Sequence, residues 1–174
     1  DEVITQAHKA DAILLGACGI AGGEPINGHH PERAVLTLRQ ELNLWANLRP
    51  LKIIDHLIQA SPVKSEVLQG VDMLVLRELT GGIYFGQPRG PYTVNGQPAA
   101  RDSMVYSAPE IRRVVKRAFS LASNRHQHVT SVDKANVLES SALWRNIAGD
   151  IARDFPNIEF ESILVDAFAM KLIQ

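Results

Sequence analysis

Cysteine is nearly absent from this 174-residue sequence, and its one example, Cys18, excludes an internal disulfide. No cluster of cysteine and histidine has zinc-finger spacing. Cys18 itself reads as a small buried hydrophobe. Long apolar runs are also missing: none approaches the roughly 18 residues of a membrane span. The chain does not open on a basic-then-apolar leader, so no signal peptide is expected and a reducing cytoplasm fits. Excess charge of either sign is lacking, with 18 Lys and Arg against 19 Asp and Glu and a net charge of −1. That balance gives no overall basic footprint for nucleic acid. Internal repeats and low-complexity segments are absent too.

What remains is ordinary for a globular enzyme or binding domain, with 45% hydrophobic and 21% charged residues. The length suits one domain or parts of two. Strand-like and helix-like segments alternate, which argues for an α/β fold. Asp1 to Ala10 has the pattern of a helix, and Ala12 to Leu15 that of a buried strand ending at Gly16. A glycine-rich loop follows, which could bring backbone close to a nucleotide or serve as an ordinary connection. Pro31 suits a helix start, with Ala34, Val35, Leu38 and Leu42 at helical spacing behind it. Leu51 to Ile54 continues as a strand after Pro50. Ser61-Pro62 marks a helix start and Gly70 a stop. Val71 to Leu76 is a buried strand. Pro91 to Arg101 reads as an exposed loop and Ser103 to Tyr106 as a short strand.

Ser107 and Glu110 have capping-box spacing. Behind them Ile111, Val114, Val115, Ala118, Phe119 and Ala122 make one apolar stripe. Arg112, Arg113, Lys116 and Arg117 lie off it and read as a solvated face. His128 to Val132 is a further strand. Leu143, Trp144, Ile147, Ala148 and Ile151 space as an amphipathic helix, and Asn157 to Val165 as a last strand. Asp166 then falls where a helix should begin, either as its cap or as a ligand.

The chemistry concentrates in Arg77-Glu78-Leu79-Thr80-Gly81-Gly82-Ile83-Tyr84-Phe85-Gly86-Gln87-Pro88-Arg89-Gly90. A strand ends on a charge pair, two glycines allow a sharp turn, and Ile83-Tyr84-Phe85 is a short β-prone piece. A cation and a phenol on either side of that turn could hold and protonate a small anion. A surface hairpin with a structural tyrosine fits the same residues.

This stretch resembles the signature of the isocitrate/isopropylmalate dehydrogenase family of β-hydroxyacid oxidative decarboxylases. Three others resemble it in the family's order: Leu38-Arg39 with Trp45 to Pro50, Val129 to Glu139, and Leu164 to Met170. The loops around Ile20–His30 and Pro91–Arg101 match poorly. The resemblance implies part of a cofactor domain, residues 1–44, and most of a substrate-binding and dimerisation domain with a β-arm, residues 45–174. It implies that family members extend further at both ends, with a first βα unit in front and more metal-ligating aspartates and adenosine loops behind.

The implied activity is NAD-dependent oxidative decarboxylation of 3-isopropylmalate to 4-methyl-2-oxopentanoate, a step of leucine biosynthesis, assisted by Mg2+ or Mn2+. By that resemblance Arg39, Arg49 and Arg77 hold the malate part of the substrate, since arginine's planar fork suits carboxylates. Lys134 is the base acting through water, and Tyr84 delivers a proton after carbon dioxide leaves. Asp166 reaches substrate and metal, a hard oxygen donor suited to those ions. Gly22, Gly23 and Glu24 lie in the loop beside the cofactor, with Glu32 and Asn136 near its nicotinamide end. Val35, Leu36 and Val137 surround the isopropyl group, where a third carboxylate would be left unpaired. Val35 stands where leucine is common, so another alkylmalate or tartrate is a second reading, and a non-catalytic dimerisation module a third. The implied assembly is a homodimer with shared active sites, joined through an arm after Gly90, with no nucleic-acid or membrane partner.

Overall fold

The computed structural model describes residues 2–20, 22 and 28–173. It divides into two compact units, Asp1–Trp45 and Ala46–Gln174. Helices and strands mix as the α/β class requires.

The first unit holds helix α1, Glu2–Lys9, and helix α2, Glu32–Glu41. Neither contains a buried residue. The strand expected at Ala12–Leu15 does not form, and Ile13, Leu14 and Leu15 are exposed, Leu14 completely at 102%. A strand needs a neighbour for its N–H and C=O groups, and none pairs with this segment among the described residues. Cys18 is likewise exposed rather than buried.

The second unit begins with an antiparallel ribbon, β1 (Ala46–Lys52) on β2 (Asp72–Glu78), registered Asn47 to Arg77 and Arg49 to Val75. Between them run a 3-10 helix, Asp55–Ala60, and a single-turn helix α3, Ser65–Leu68. The helix start read at Ser61-Pro62 is therefore displaced; Ser61 Oγ accepts a hydrogen bond from the Val63 N–H at 3.1 Å instead.

Residues 90–101 form a hairpin, not a loop: β3 (Gly90–Val94) pairs with β4 (Gln97–Arg101). Its turn is Asn95-Gly96, with φ of 50° and 77°, the left-handed pair that a two-residue hairpin turn requires. Arg101 lies over the Tyr92 ring at 5.0 Å. Ile83 to Phe85 is a turn, and Ser103 to Tyr106 carries no ladder. The Val105 carbonyl instead accepts the Gly82 N–H at 2.7 Å.

The core lies under helix α4, Ala108–Ala122, which starts with the capping box of Ser107 and Glu110. Its Ile111 and Phe119 are fully buried, with Val114, Val115 and Ala122 beside them. Phe119 stacks on Phe155 at 5.0 Å and meets Phe160 at 5.6 Å. Helix α5, Glu139–Ala152, adds Ile147, Ala148 and Ile151. It crosses over between parallel strands β5 (His128–Asp133) and β6 (Glu159–Leu164). Helix α6, Val165–Lys171, follows β6 directly.

Candidate active site

Three strand ends in the second unit carry the polar groups. At the end of the β1–β2 ribbon, Asn47 and Arg77 are opposite each other and Arg49 is two residues along. Opposed residues and alternate residues share a face of a ribbon, so both arginines project from one side. Arg49 Nε donates to Asn47 Oδ1 at 2.7 Å. Beyond the turn, the Tyr84 ring lies under the Arg77 guanidinium, 5.2 Å from centroid to carbon. That spacing is a cation–π contact. Tyr84 is half-exposed, and its carbonyl accepts a bond from Arg89. Arg89 also pairs with Asp102 at 3.2 Å.

At the ends of β5 and β6, Lys134 Nζ donates to Asp166 Oδ1 at 2.7 Å. That bond, with one from the backbone at Asp166 itself, holds the Asp166 carboxyl below the usual aspartate range. Asp166 sits in the first turn of α6, where the cap position is taken by Leu164. Asn136 and Val137 lie exposed in the turn after Lys134. The Val137 N–H donates to the Lys134 carbonyl at 3.0 Å. The Arg77–Tyr84 pair stands at the end of β2 and the turn after it, the Lys134–Asp166 pair at the ends of β5 and β6. The ends of β2 and β5 open on one cleft of about 260 Å³, lined among others by Arg77, Tyr106, Asp133 and Trp144.

The remaining predicted residues lie in the first unit. Val35, Leu36 and Arg39 are half-buried on α2, and Glu32 opens that helix. Leu36 and Arg39 follow Glu32 at helical spacing, so the three share a face. Gly22 has φ of 89°, with open space where a side chain would be. Gly23 and Glu24 fall outside the described residues.

Five further side chains were not singled out from the sequence as site residues. Glu78 ends β2 with its side chain 1% exposed. Its carboxylate accepts the Thr80 N–H, the Thr80 hydroxyl and the Gly81 N–H, each at 2.7 Å, and Arg113 Nη2 at 2.6 Å. Arg113 is thus turned inward from α4 and does not belong to the solvated face with Arg112, Lys116 and Arg117. Asp133 ends β5 with its side chain 2% exposed. It accepts both Arg145 Nε and Arg145 Nη2 at 2.8 Å and the Ala135 N–H at 2.9 Å. A buried carboxylate must be paired or it destabilises the fold. The only hint in the sequence is an acidic residue closing an apolar strand.

Tyr106 packs over Gly81 and Gly82 so closely that a side chain at either glycine would collide with its ring. Gly82 also has φ of 84°, a second reason for glycine there. The Tyr106 ring meets Trp144 edge-on at 5.4 Å. Burial first, and the nearby Glu78 carboxylate second, push its hydroxyl pKa up. For a divalent ion the described residues offer Asp166 as one exposed hard-oxygen donor. No group of three or more potential ligands occurs among them. No helix among them is long and apolar enough to cross a membrane.

A cation stacked on a phenol and a lysine against a carboxylate, all at strand ends, suit work on an anionic substrate. Known proteins agree in family. The chain is 48% identical over 175 residues to a 3-isopropylmalate dehydrogenase of Geobacillus kaustophilus, covering all of this chain and 47% of that one. It is 46% identical to the enzyme of that name from Aquifex aeolicus, of which it covers 48%. It therefore spans about half the length of these relatives. Among solved structures, an isocitrate dehydrogenase from Methylococcus capsulatus superposes with a TM-score of 0.72 at 30% identity, over 91% of this chain and 43% of that one. A beta-decarboxylating dehydrogenase from Thermococcus kodakarensis gives 0.69 at 28% identity, over 99% and 45%. The isocitrate/isopropylmalate dehydrogenase family model matches residues 1–174, the whole chain, and the protein belongs to that family.

Proposed function

We propose that these residues are part of a cytoplasmic, NAD-dependent 3-isopropylmalate dehydrogenase of leucine biosynthesis. In this reading residues 1–44 belong to the cofactor domain and residues 45–174 to the substrate-binding and dimerisation domain. The observation that carries it is the arrangement at the strand ends, Arg77 over Tyr84 and Lys134 against Asp166. The substrate comes from relatives named for 3-isopropylmalate.

Arg49 and Arg77, on one face of their ribbon, offer planar forks to the substrate carboxylates, with Arg39 as the third cation. Lys134 takes the hydroxyl proton through a water. NAD, near Gly22, Gly23, Glu24, Glu32 and Asn136, supplies the hydride acceptor. Asp166, a hard-oxygen donor, would hold a magnesium or manganese ion, which would supply Lewis-acid polarisation to the forming carbonyl. After carbon dioxide departs, Tyr84 passes its phenolic proton to the enolate carbon. Val35, Leu36 and Val137 receive the isopropyl group.

Two measurements on the complete enzyme test this. The kcat/KM for 3-isopropylmalate should exceed that for isocitrate, and equal or better turnover of isocitrate or tartrate would reassign the substrate. In the proposed homodimer, Arg39, Arg49, Arg77 and Tyr84 serve one site while Lys134 and Asp166 reach it from the other subunit. Lys134→Ala and Tyr84→Phe homodimers, each nearly inactive, should then regain up to about half of native activity per mixed dimer after subunit exchange, because one site becomes whole. Verified exchange with no recovery places both residues in one subunit's site.

A further inference from the structure

We propose that Glu78, Thr80 and Arg113 form a positioning device for Tyr84, acting through the backbone of the glycine turn. This rests on the reading that Tyr84 is the late proton donor. The Glu78 carboxylate is almost fully buried and acts as a cap on the chain that follows it. It accepts the N–H groups of Thr80 and Gly81 and the Thr80 hydroxyl. Arg113 closes the arrangement from helix α4, donating to both Glu78 Oε1 and the Thr80 hydroxyl oxygen.

The next residue, Gly82, is tied to the Val105 carbonyl at 2.7 Å. The Gly82 carbonyl then accepts the Gly86 N–H at 2.9 Å and the Phe85 N–H at 3.3 Å. Tyr84 lies inside that closed turn. The tyrosine ring is half-exposed with the Arg77 guanidinium over its face, and the backbone of the turn sets where it stands. Hydrogen bonds from helix α4 and Glu78 thus fix the start of the glycine turn, and the Gly82 bonds close it around Tyr84.

A group that accepts on both oxygens fits this place. Three N–H or O–H groups and a guanidinium all point at it, so a group that can only accept is required. In Glu78→Gln the amide nitrogen must face a donor, and the turn loses one of its bonds. The substitution leaves Arg77 and Tyr84 chemically unchanged but loosens the turn that positions the phenol. Proton delivery needs closer alignment than holding a carboxylate does, so kcat should fall further than KM rises.

The experiment is a double-mutant cycle in the complete, dimeric enzyme, with substrate binding and secondary structure checked for every variant. Tyr84→Phe should lower kcat strongly. Glu78→Gln should lower kcat by roughly tenfold or more with KM changed by less than about threefold. The double variant should be no slower than Tyr84→Phe alone, because a device that works through the phenol has nothing to position once it is gone. If the two losses multiply, Glu78 is a general structural residue and the proposal is wrong, while Tyr84 keeps its role. Unchanged kcat in Glu78→Gln also overturns it. Unchanged kcat in Tyr84→Phe instead removes the proton-donor reading, and the device with it. Should Glu78→Gln not fold, Thr80→Val deletes the hydroxyl between Glu78 and Arg113 at nearly constant volume. It should show a smaller kcat loss that likewise vanishes in the Tyr84→Phe background; persistence of the loss there counts against the proposal.

Discussion

The runs Ala12–Leu15 and Val71–Leu76 look alike on paper: each is apolar, each stops at a residue that breaks the pattern, and each reads as a buried strand. Only the second becomes a strand, and it is half-buried, with Val75 exposed. Val71–Leu76 contributes to β2, which has β1 along its edge and helix α4 packed beside it. Ala12–Leu15 pairs with no strand among the described residues, and Leu14 is wholly exposed. Hydrophobicity selects what a segment would bury, but a strand exists only when another backbone takes its hydrogen bonds. The same contrast holds for the units that contain them. Helices α1 and α2 bury no residue, whereas α4 buries five.

The contrast predicts how unevenly the 174-residue chain responds to substitution. Phe119→Ala should have the largest effect. It empties the center of an aromatic cluster and should cost about 3–5 kcal/mol in denaturant unfolding. Ser107→Ala removes half of the capping box and should cost about 1 kcal/mol. Leu14→Ala should stay within about 0.5 kcal/mol, as surface substitutions do. A loss of several kcal/mol at Leu14 would show the segment to be covered and would break the comparison. Hydrogen exchange sharpens it without mutation. Amides of α4 and α5 should exchange slowest, those of residues 12–19 within the fastest class.

Much of the fold is legible where the signal is local. The Ser107–Glu110 box, the stripe behind it and the alternation of strand and helix after His128 all rest on residues within a turn or two of each other. The hairpin at 90–101 was equally local, since Asn95-Gly96 is a strong turn pair. Its polar flanks, Thr93, Gln97 and Arg101, hid the strands because both faces of a projecting arm meet water. Arg113 illustrates the opposite limit. On a helical wheel it falls opposite the apolar stripe, farther from it than Arg112 or Arg117. Its partner Glu78 lies 35 residues earlier, and nothing in either neighborhood announces the other. The family resemblance pointed to residues that stand at strand ends. It could not find the buried acids beneath them, because those are defined by long-range pairing.

The parallel pairing of β5 with β6 also bears on how this chain can change in length over evolution. Asp133 is the ladder partner of Leu164, so Lys134 and Asp166 emerge together from the same end of the pair. Their separation of 32 residues along the chain does not matter to the 2.7 Å contact between them. Only the step of the ladder does. Residues can be gained or lost in the bend between α5 and β6 while both groups stay where they are. A slip of one residue between the strands moves one group about 3.3 Å past the other and turns the slipped strand's side chains to the opposite face. Insertions should therefore be tolerated in the crossover and rejected within the two strands, which makes the ladder a ruler for the chemistry at its end.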